Sequence, residues 1–162
     1  MNKTQLEQPI IAVGIVTFKD DKILMIRRGK PPREGQWSIP GGKQKLGETW
    51  RAAAAREVKE ETGIDIEVLG LIDVVDAIIY DEQTPQSKER PLTNNIDNKS
   101  ISFHYTLVDC AAEWLSGTVN AGSDAAHAEW LTLSQIKKLD LWSETFRIIN
   151  EAIKMRKTAH KN

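Results

Sequence analysis

Cysteine is almost absent from this 162-residue chain. Cys110 stands alone, which excludes an internal disulfide framework and fits a reducing compartment. No Cys or His lies at ligand spacing from it, so it reads as a buried strand residue rather than a nucleophile or ligand. Histidine is scarce too, at three residues, and no Ser, Cys or His stands out as a nucleophile. There is no excess of positive charge: 22 basic residues face 23 acidic ones, for a net charge of −1. A broad surface for a nucleic acid polymer is thereby excluded, and any phosphate binding must be local. Apolar runs are short, none approaching the roughly 18 residues of a membrane-spanning helix. The run Pro9–Phe18 has the look of a signal-peptide core. It is followed, however, by the turn-like Lys19-Asp20-Asp21-Lys22 and a second strand, with no small-residue cleavage site between. A cytoplasmic protein without membrane partners is expected.

What remains is the composition of an ordinary globular domain, 40% hydrophobic and 28% charged. A chain of this length buries roughly two-thirds of its unfolded surface, enough for one core. The expected organisation is an N-terminal tail over 1–9, one domain over 10–156 and a frayed tail over 157–162. Ile10–Phe18 is apolar on both alternating faces, as a strand covered on both sides should be. Ile23–Arg28 is its expected hairpin partner. Further strands are expected at Ile64–Leu71, Val74–Tyr80, Ser102–Val108 and Glu129–Leu131, with helices at Ser134–Leu139 and Ser143–Arg156. Phe146, Ile149 and Ile153 mark the apolar face of the last helix. The polar, proline-containing 81–100 segment reads as a long, mobile hairpin loop. Strands before, between and after helices make an α+β sandwich.

One more helix is expected over Glu48–Thr62. It opens on an acid, runs through four alanines and stops at Gly63, which suits a left-handed cap. Trp50, Ala54, Ala55 and Val58 form its core stripe. Glu57, Glu60 and Glu61, at i, i+3 and i+4, share another face. Such neighbours repel by a few tenths of a kcal/mol per pair, and a divalent cation among them reverses the sign. Oxygen-only ligands point to Mg²⁺ or Mn²⁺ rather than zinc. The plainer alternative is a solvated acidic face on which Arg56 pairs with Glu60 at i, i+4.

The residues before this helix decide between the two. From Gly42 to Ile64 the chain has Gly42, five residues, Glu48, seven residues, then Arg56-Glu57-Val58-Lys59-Glu60-Glu61-Thr62-Gly63-Ile64. This resembles the signature of the Nudix superfamily at all nine of its constrained positions. Trp37-Ser38-Ile39-Pro40-Gly41-Gly42 is similar to the family's lead-in, and Glu129-Trp130-Leu131 to its late strand, so the resemblance covers about Ile10 to Glu151. It implies an α/β/α sandwich with a mixed β-sheet between helices. It also implies metal-dependent hydrolysis of a nucleoside diphosphate linked to a further group.

By the same resemblance Glu60 and Glu61 are metal ligands, joined by the carbonyl of Gly41 or Gly42. Glu57 is either a ligand or the base that takes a proton from water. Arg56 and Glu48 form an ion pair fixing the loop against the helix. A further acid from a late loop is expected, with Asp124 and Glu129 the candidates, and Arg27 or Arg28 is placed to contact a phosphate. Tyr80, Trp37 and Phe103 are aromatic residues able to stack on a base, though core is their commoner role. His104 and His127 are read as structural. The resemblance favours ADP-ribose, cleaved to AMP and ribose 5-phosphate. A MutT-like (d)NTP pyrophosphohydrolase is second, and Tyr80 alone hints at a dinucleoside polyphosphate hydrolase. A different class is a nucleotide sensor that binds without cleaving, for which a degraded signature and an attached DNA-binding domain are usual. Homodimers are common in the family, so a second copy is an allowed partner.

Overall fold

A computed structural model describes residues 8–80, 101–122 and 124–159. The first strand, β1 (Ile10–Lys19), turns at Asp20 into β2 (Lys22–Arg28), with Asp20 left-handed at φ 53°, a conformation that Asp tolerates in tight turns. Two short strands follow, β3 (Trp37–Ser38) and β4 (Gly41–Lys43). Helix α1 spans Trp50–Thr62, and after it come β5 (Asp65–Tyr80), β6 (Ile101–Ser116) and β7 (Ala125–Thr132). The last elements are the single-turn α2 (Leu133–Ile136) and α3 (Ser143–Ala159).

These seven strands form one mixed sheet. β1 runs parallel to β6, while every other pairing is antiparallel. Alternation along β1 splits its side chains between two cores, as a doubly covered strand requires. Val13 and Ile15 join Cys110, Ala112 and the α1 residues Ala53, Ala54 and Val58 on one face. Val16 and Phe18 join Ala111 and the α3 residues Ile148, Ile149 and Ala152 on the other. The helices therefore lie on opposite sides of the sheet, the expected sandwich.

The sheet is not continuous along β1. β2 pairs with it only at Phe18↔Ile23 and Lys19↔Lys22, then leaves to pair with β3 and β7. Farther along, β4 takes that edge of β1, with Val13 opposite Gly42 and Gly14 opposite Gly41. The glycine strand is thus set where the sheet divides.

Several boundaries differ from the sequence expectation, each for a local reason. α1 begins at Trp50 rather than Glu48, because Thr49 caps it by accepting from the Ala52 N–H. The first turn accordingly holds no acid, and Glu48 is free to act elsewhere. Ala53 replaces Ala55 on the core stripe, Ala55 being exposed. β5 is one strand where two were expected. Irregularities at Val68/Gly70 and Leu71/Asp73 absorb the break in alternation that had suggested a gap. β6 continues past Val108 to Ser116, its extension disguised by Asp109 and by small residues at 110–112. β7 starts four residues early, at Ala125. α2 is capped by Thr132 with Gln135 in a capping box, and α3 continues past Arg156 to Ala159. The loop expected at 81–100 lies outside the described residues. No helix among the described residues is long and apolar enough to cross a membrane.

Candidate active site

The site begins with the way α1 is held. Gly63 ends it in the left-handed conformation (φ 78°), donating its N–H to the Lys59 carbonyl. Beyond it, the Thr62 carbonyl accepts from the Asn120 N–H and the Glu61 carbonyl from the Gly122 N–H, both at 2.9 Å. The same late segment reaches the loop after β2, where the Gly29 N–H donates to the Asp124 carbonyl at 2.8 Å. Gly122 must be a glycine: a β-carbon there would lie 2.7 Å from the Glu60 carbonyl oxygen.

At the other end, Arg56 ties the helix to the loop. Its guanidinium bonds Glu48 through Nε at 2.5 Å and Nη2 at 2.9 Å, the two-point geometry that makes an arginine–carboxylate pair strong. It also donates to Glu57 (2.7 Å), Glu60 (3.1 Å) and the Lys43 carbonyl (3.0 Å). Glu48 is held further by the Lys45 N–H. Arg56, and after it the Lys45 N–H, lower the Glu48 carboxyl to about 2, and Arg56 is raised above its ordinary value by Glu48. The expected ion pair is present.

Glu61 is buried, and one of its oxygens accepts from the Gly41 N–H at 3.1 Å. Burial pushes its carboxyl up to about 8. The Gly41 N–H opposes that shift, and the Glu57 charge adds to it. Glu57 sits against Gly42 so closely that a β-carbon on Gly42 would lie 2.3 Å from its carboxyl carbon. Gly41, Gly42, Glu57, Glu60 and Glu61 thus line one cleft of about 790 Å³.

Of the other candidates, Asp124 and Arg28 line the cleft and Glu129 and Arg27 do not. Asp124 is paired to Lys30 at 2.5 Å. Glu129 is exposed, lies within hydrogen-bond distance of His127 at 3.1 Å, and does not line the cleft. The pairing of β2 with β7 is irregular between Arg27 and Arg28, and of the two only Arg28 lines the cleft. Arg27 donates to the Gly35 carbonyl and Arg28 to the Pro32 carbonyl. Trp37 and Phe103 line the cleft, whereas Tyr80 and His104 do not. Cys110 is buried, as expected, and burial pushes its thiol up to about 12. Asp109 was not singled out from the sequence, yet it too lines the cleft. The available signal was a lone charge inside the run Leu107–Ala112.

The acidic cluster matches a hard cation in kind. All its donors are oxygens, and the negative charge near Glu61 is one a cation would relieve. It is not preassembled, since Arg56 occupies Glu57 and Glu60. Among the described residues no three acidic, His or Cys side chains are gathered tightly enough to enclose a metal as they stand.

The family model of the NUDIX domain matches residues 8–152, nearly the whole chain. The chain belongs to the Nudix family. Among curated Nudix relatives, an ADP-ribose pyrophosphatase of Methanocaldococcus jannaschii is 34% identical over 131 residues, 81% of this chain and 66% of that protein. The ADPR responsive transcriptional repressor NtrR of Acinetobacter baylyi is 24% identical over 156 residues, 93% of this chain and 55% of the repressor. The chain therefore spans less than two-thirds of either relative. Among solved structures, the MutT NUDIX hydrolase from Burkholderia pseudomallei superposes with a TM-score of 0.69 at 26% identity. That match covers 90% of this chain and 98% of the other. Nudix hydrolases generally use divalent metal ions.

Proposed function

We propose that this Nudix protein is a metal-dependent hydrolase of nucleoside diphosphate derivatives, with ADP-ribose as substrate and AMP and ribose 5-phosphate as products. The observation that carries the reading is the complete acidic helix face, Glu57, Glu60 and Glu61, lining one cleft of nucleotide size, with Glu57 against Gly42 and Glu61 accepting from the Gly41 N–H. The relative in M. jannaschii, named for ADP-ribose, supports the choice of substrate.

Glu60 and Glu61, with a carbonyl of Gly41 or Gly42, would hold Mg²⁺, or Mn²⁺ in its place. Such an ion would supply neutralisation of charge on the phosphoryl oxygens and activation of an attacking water. Glu57 acts as a further ligand or accepts the proton of that water. Arg56 fixes the direction of both the loop and the acids, and Arg28 and Lys30 supply positive charge along the cleft wall for the diphosphate. Water adds to one phosphorus, the anhydride P–O bond breaks, and each product leaves with one phosphate.

The test is AMP release with Mg²⁺, comparing wild type with Glu60→Gln on ADP-ribose, diadenosine polyphosphates, NADH and the (d)NTPs. Turnover of ADP-ribose that Glu60→Gln loses by several orders of magnitude supports the proposal. Turnover of the (d)NTPs instead would make the protein MutT-like. The 24% identical repressor favours a second reading, a nucleotide sensor. Tight binding of ADP-ribose with no AMP release would establish that one instead.

A further inference from the structure

The cleft has a second end that the reaction above does not use. Phe103, Tyr105, Leu107 and Asp109 alternate along one face of β6 and all line it. Leu107 and the next residue on that face, Ala111, belong to the core on the α3 side, so this wall lies on the opposite face of the sheet from α1. Phe103 and Tyr105 stack nearly parallel, 12° apart with centroids separated by 6.2 Å. Trp142 lines the same cleft, with the Arg33 guanidinium 4.2 Å from its ring centre.

Asp109 is anomalous on this wall. It is only 4% exposed, yet its carboxyl group has no hydrogen-bond or ion-pair partner among the described residues. The carboxyl lines the cleft, where a molecule bound there can reach an acceptor that no described residue takes up. The residue opposite it on β1 is Gly14, and the carboxyl fills the space a side chain would take. A β-carbon there would lie 2.1 Å from Asp109 Oδ1. The cation that acts on Asp109 is Arg147, but its guanidinium is taken up by Glu144 at 2.8 Å and Asp73 at 2.9 Å. Burial, then the Asp73 charge, push the Asp109 carboxyl up to about 7, with Arg147 opposing and Glu144 adding. Near neutrality it therefore exists in both forms, and each accepts a hydrogen bond.

We propose that Asp109 is a specificity-determining residue whose carboxyl group accepts a hydrogen bond from an N–H of the substrate's nucleobase, at the aromatic end of the cleft. Flat apolar rings together with an in-plane acceptor suit a heteroaromatic base better than a sugar, whose hydroxyls need several partners. The inference rests on the reading of the cleft as a nucleotide site. It adds which end receives the base and what recognises it.

The test uses the full chain with Asp109→Leu and Asp109→Ala, a shape-filling and a small replacement that both remove the acceptor. With ADP-ribose and Mg²⁺, KM is expected to rise about tenfold to a hundredfold while kcat stays within a few-fold. Calorimetry without metal separates the ends of the cleft, with AMP and ribose 5-phosphate as probes. AMP binding should weaken in both variants by a similar factor, and ribose 5-phosphate binding should not change. Asp109→Asn, which keeps an acceptor, should recover part of the loss. An unchanged KM and AMP affinity in a folded Asp109→Leu or Asp109→Ala overturns the inference, as does equal weakening of both probes. If wild type cleaves nothing but binds AMP, the hydrolase reading fails, and loss of AMP binding in the variants still supports the role of Asp109. If wild type does not bind AMP at all, the inference fails.

Discussion

Gly41 and Gly42 are adjacent, line the same cleft and lack side chains, yet adding one methyl group to each should break different things. At Gly42 the atoms nearest the new β-carbon would be those of the Glu57 carboxyl group, with Cδ at 2.3 Å and the two oxygens at 2.4 and 2.5 Å. Those atoms end a flexible side chain, so Glu57 can yield. Reaching ordinary van der Waals contact at 3.4 Å requires a shift of about 1 Å. Stability should hardly change, but a catalytic group displaced that far lowers the rate about a hundredfold. At Gly41 the β-carbon would meet the Val13 carbonyl oxygen at 2.3 Å and the Gly14 Cα at 3.3 Å. Both belong to the backbone of β1, which is packed on two sides and cannot retreat. Overpacking of that kind costs roughly 3 kcal/mol at the upper end, a fall in Tm of about 6–12 °C for a domain of this size. Thermal melts of both alanine variants, beside Mg²⁺-dependent AMP release from ADP-ribose, separate the two effects. The reasoning is refuted if Gly42→Ala keeps the wild-type kcat, or if Gly41→Ala melts with the wild type.

Three further outcomes are expected. Glu48 is held at about 2 against an ordinary 4.5, so its stabilising effect is complete above about pH 4.5 and is lost as pH falls through about 2. The Tm gap between wild type and Glu48→Gln should thus be steady from pH 6 to 5 and close by pH 2. Paired melts across that range decide it, and a gap that persists at pH 2 contradicts the assignment. Cys110, buried and with its thiol pushed up to about 12, should resist Ellman's reagent for hours in the native protein and react within minutes in guanidinium. Rapid native labelling would show that the core around β6 opens. Glu129 lies outside the cleft, so Glu129→Gln should keep AMP release within about twofold of wild type, while Asp124→Asn, inside it, should lower the rate about tenfold. Steady-state rates of the two variants rank them, and a larger loss at Glu129 would reverse the assignment.

The acidic helix was legible because its residues are fixed by spacing along one element. Arg56, Glu57, Glu60 and Glu61 share a helix, and the pairing of Arg56 with Glu48 spans only a short loop. Strand ends were less legible where alternation is interrupted. Asp109 within β6 resembles a terminator, and the irregularities of β5 resemble a gap. Least legible was which of two neighbouring side chains faces the cleft. Arg27 and Arg28 flank an irregularity in the pairing of β2 with β7, and Glu129 depends on the register of β7. Such registers depend on residues distant in sequence. The aromatic end of the cleft is assembled from β6 and the start of α3, elements that no local motif connects.

The late segment held at Asn120, Gly122 and Asp124 has a consequence for how such a protein can diversify. Its main chain is fastened to the Thr62 and Glu61 carbonyls at one end and to Gly29 at the other, and Gly122 leaves no room for a side chain. A side chain at 122 would press on the Glu60 carbonyl and so on the acidic helix, whatever residue was introduced. The β6 face lines the cleft with side chains instead, and these can be exchanged without disturbing that backbone fastening.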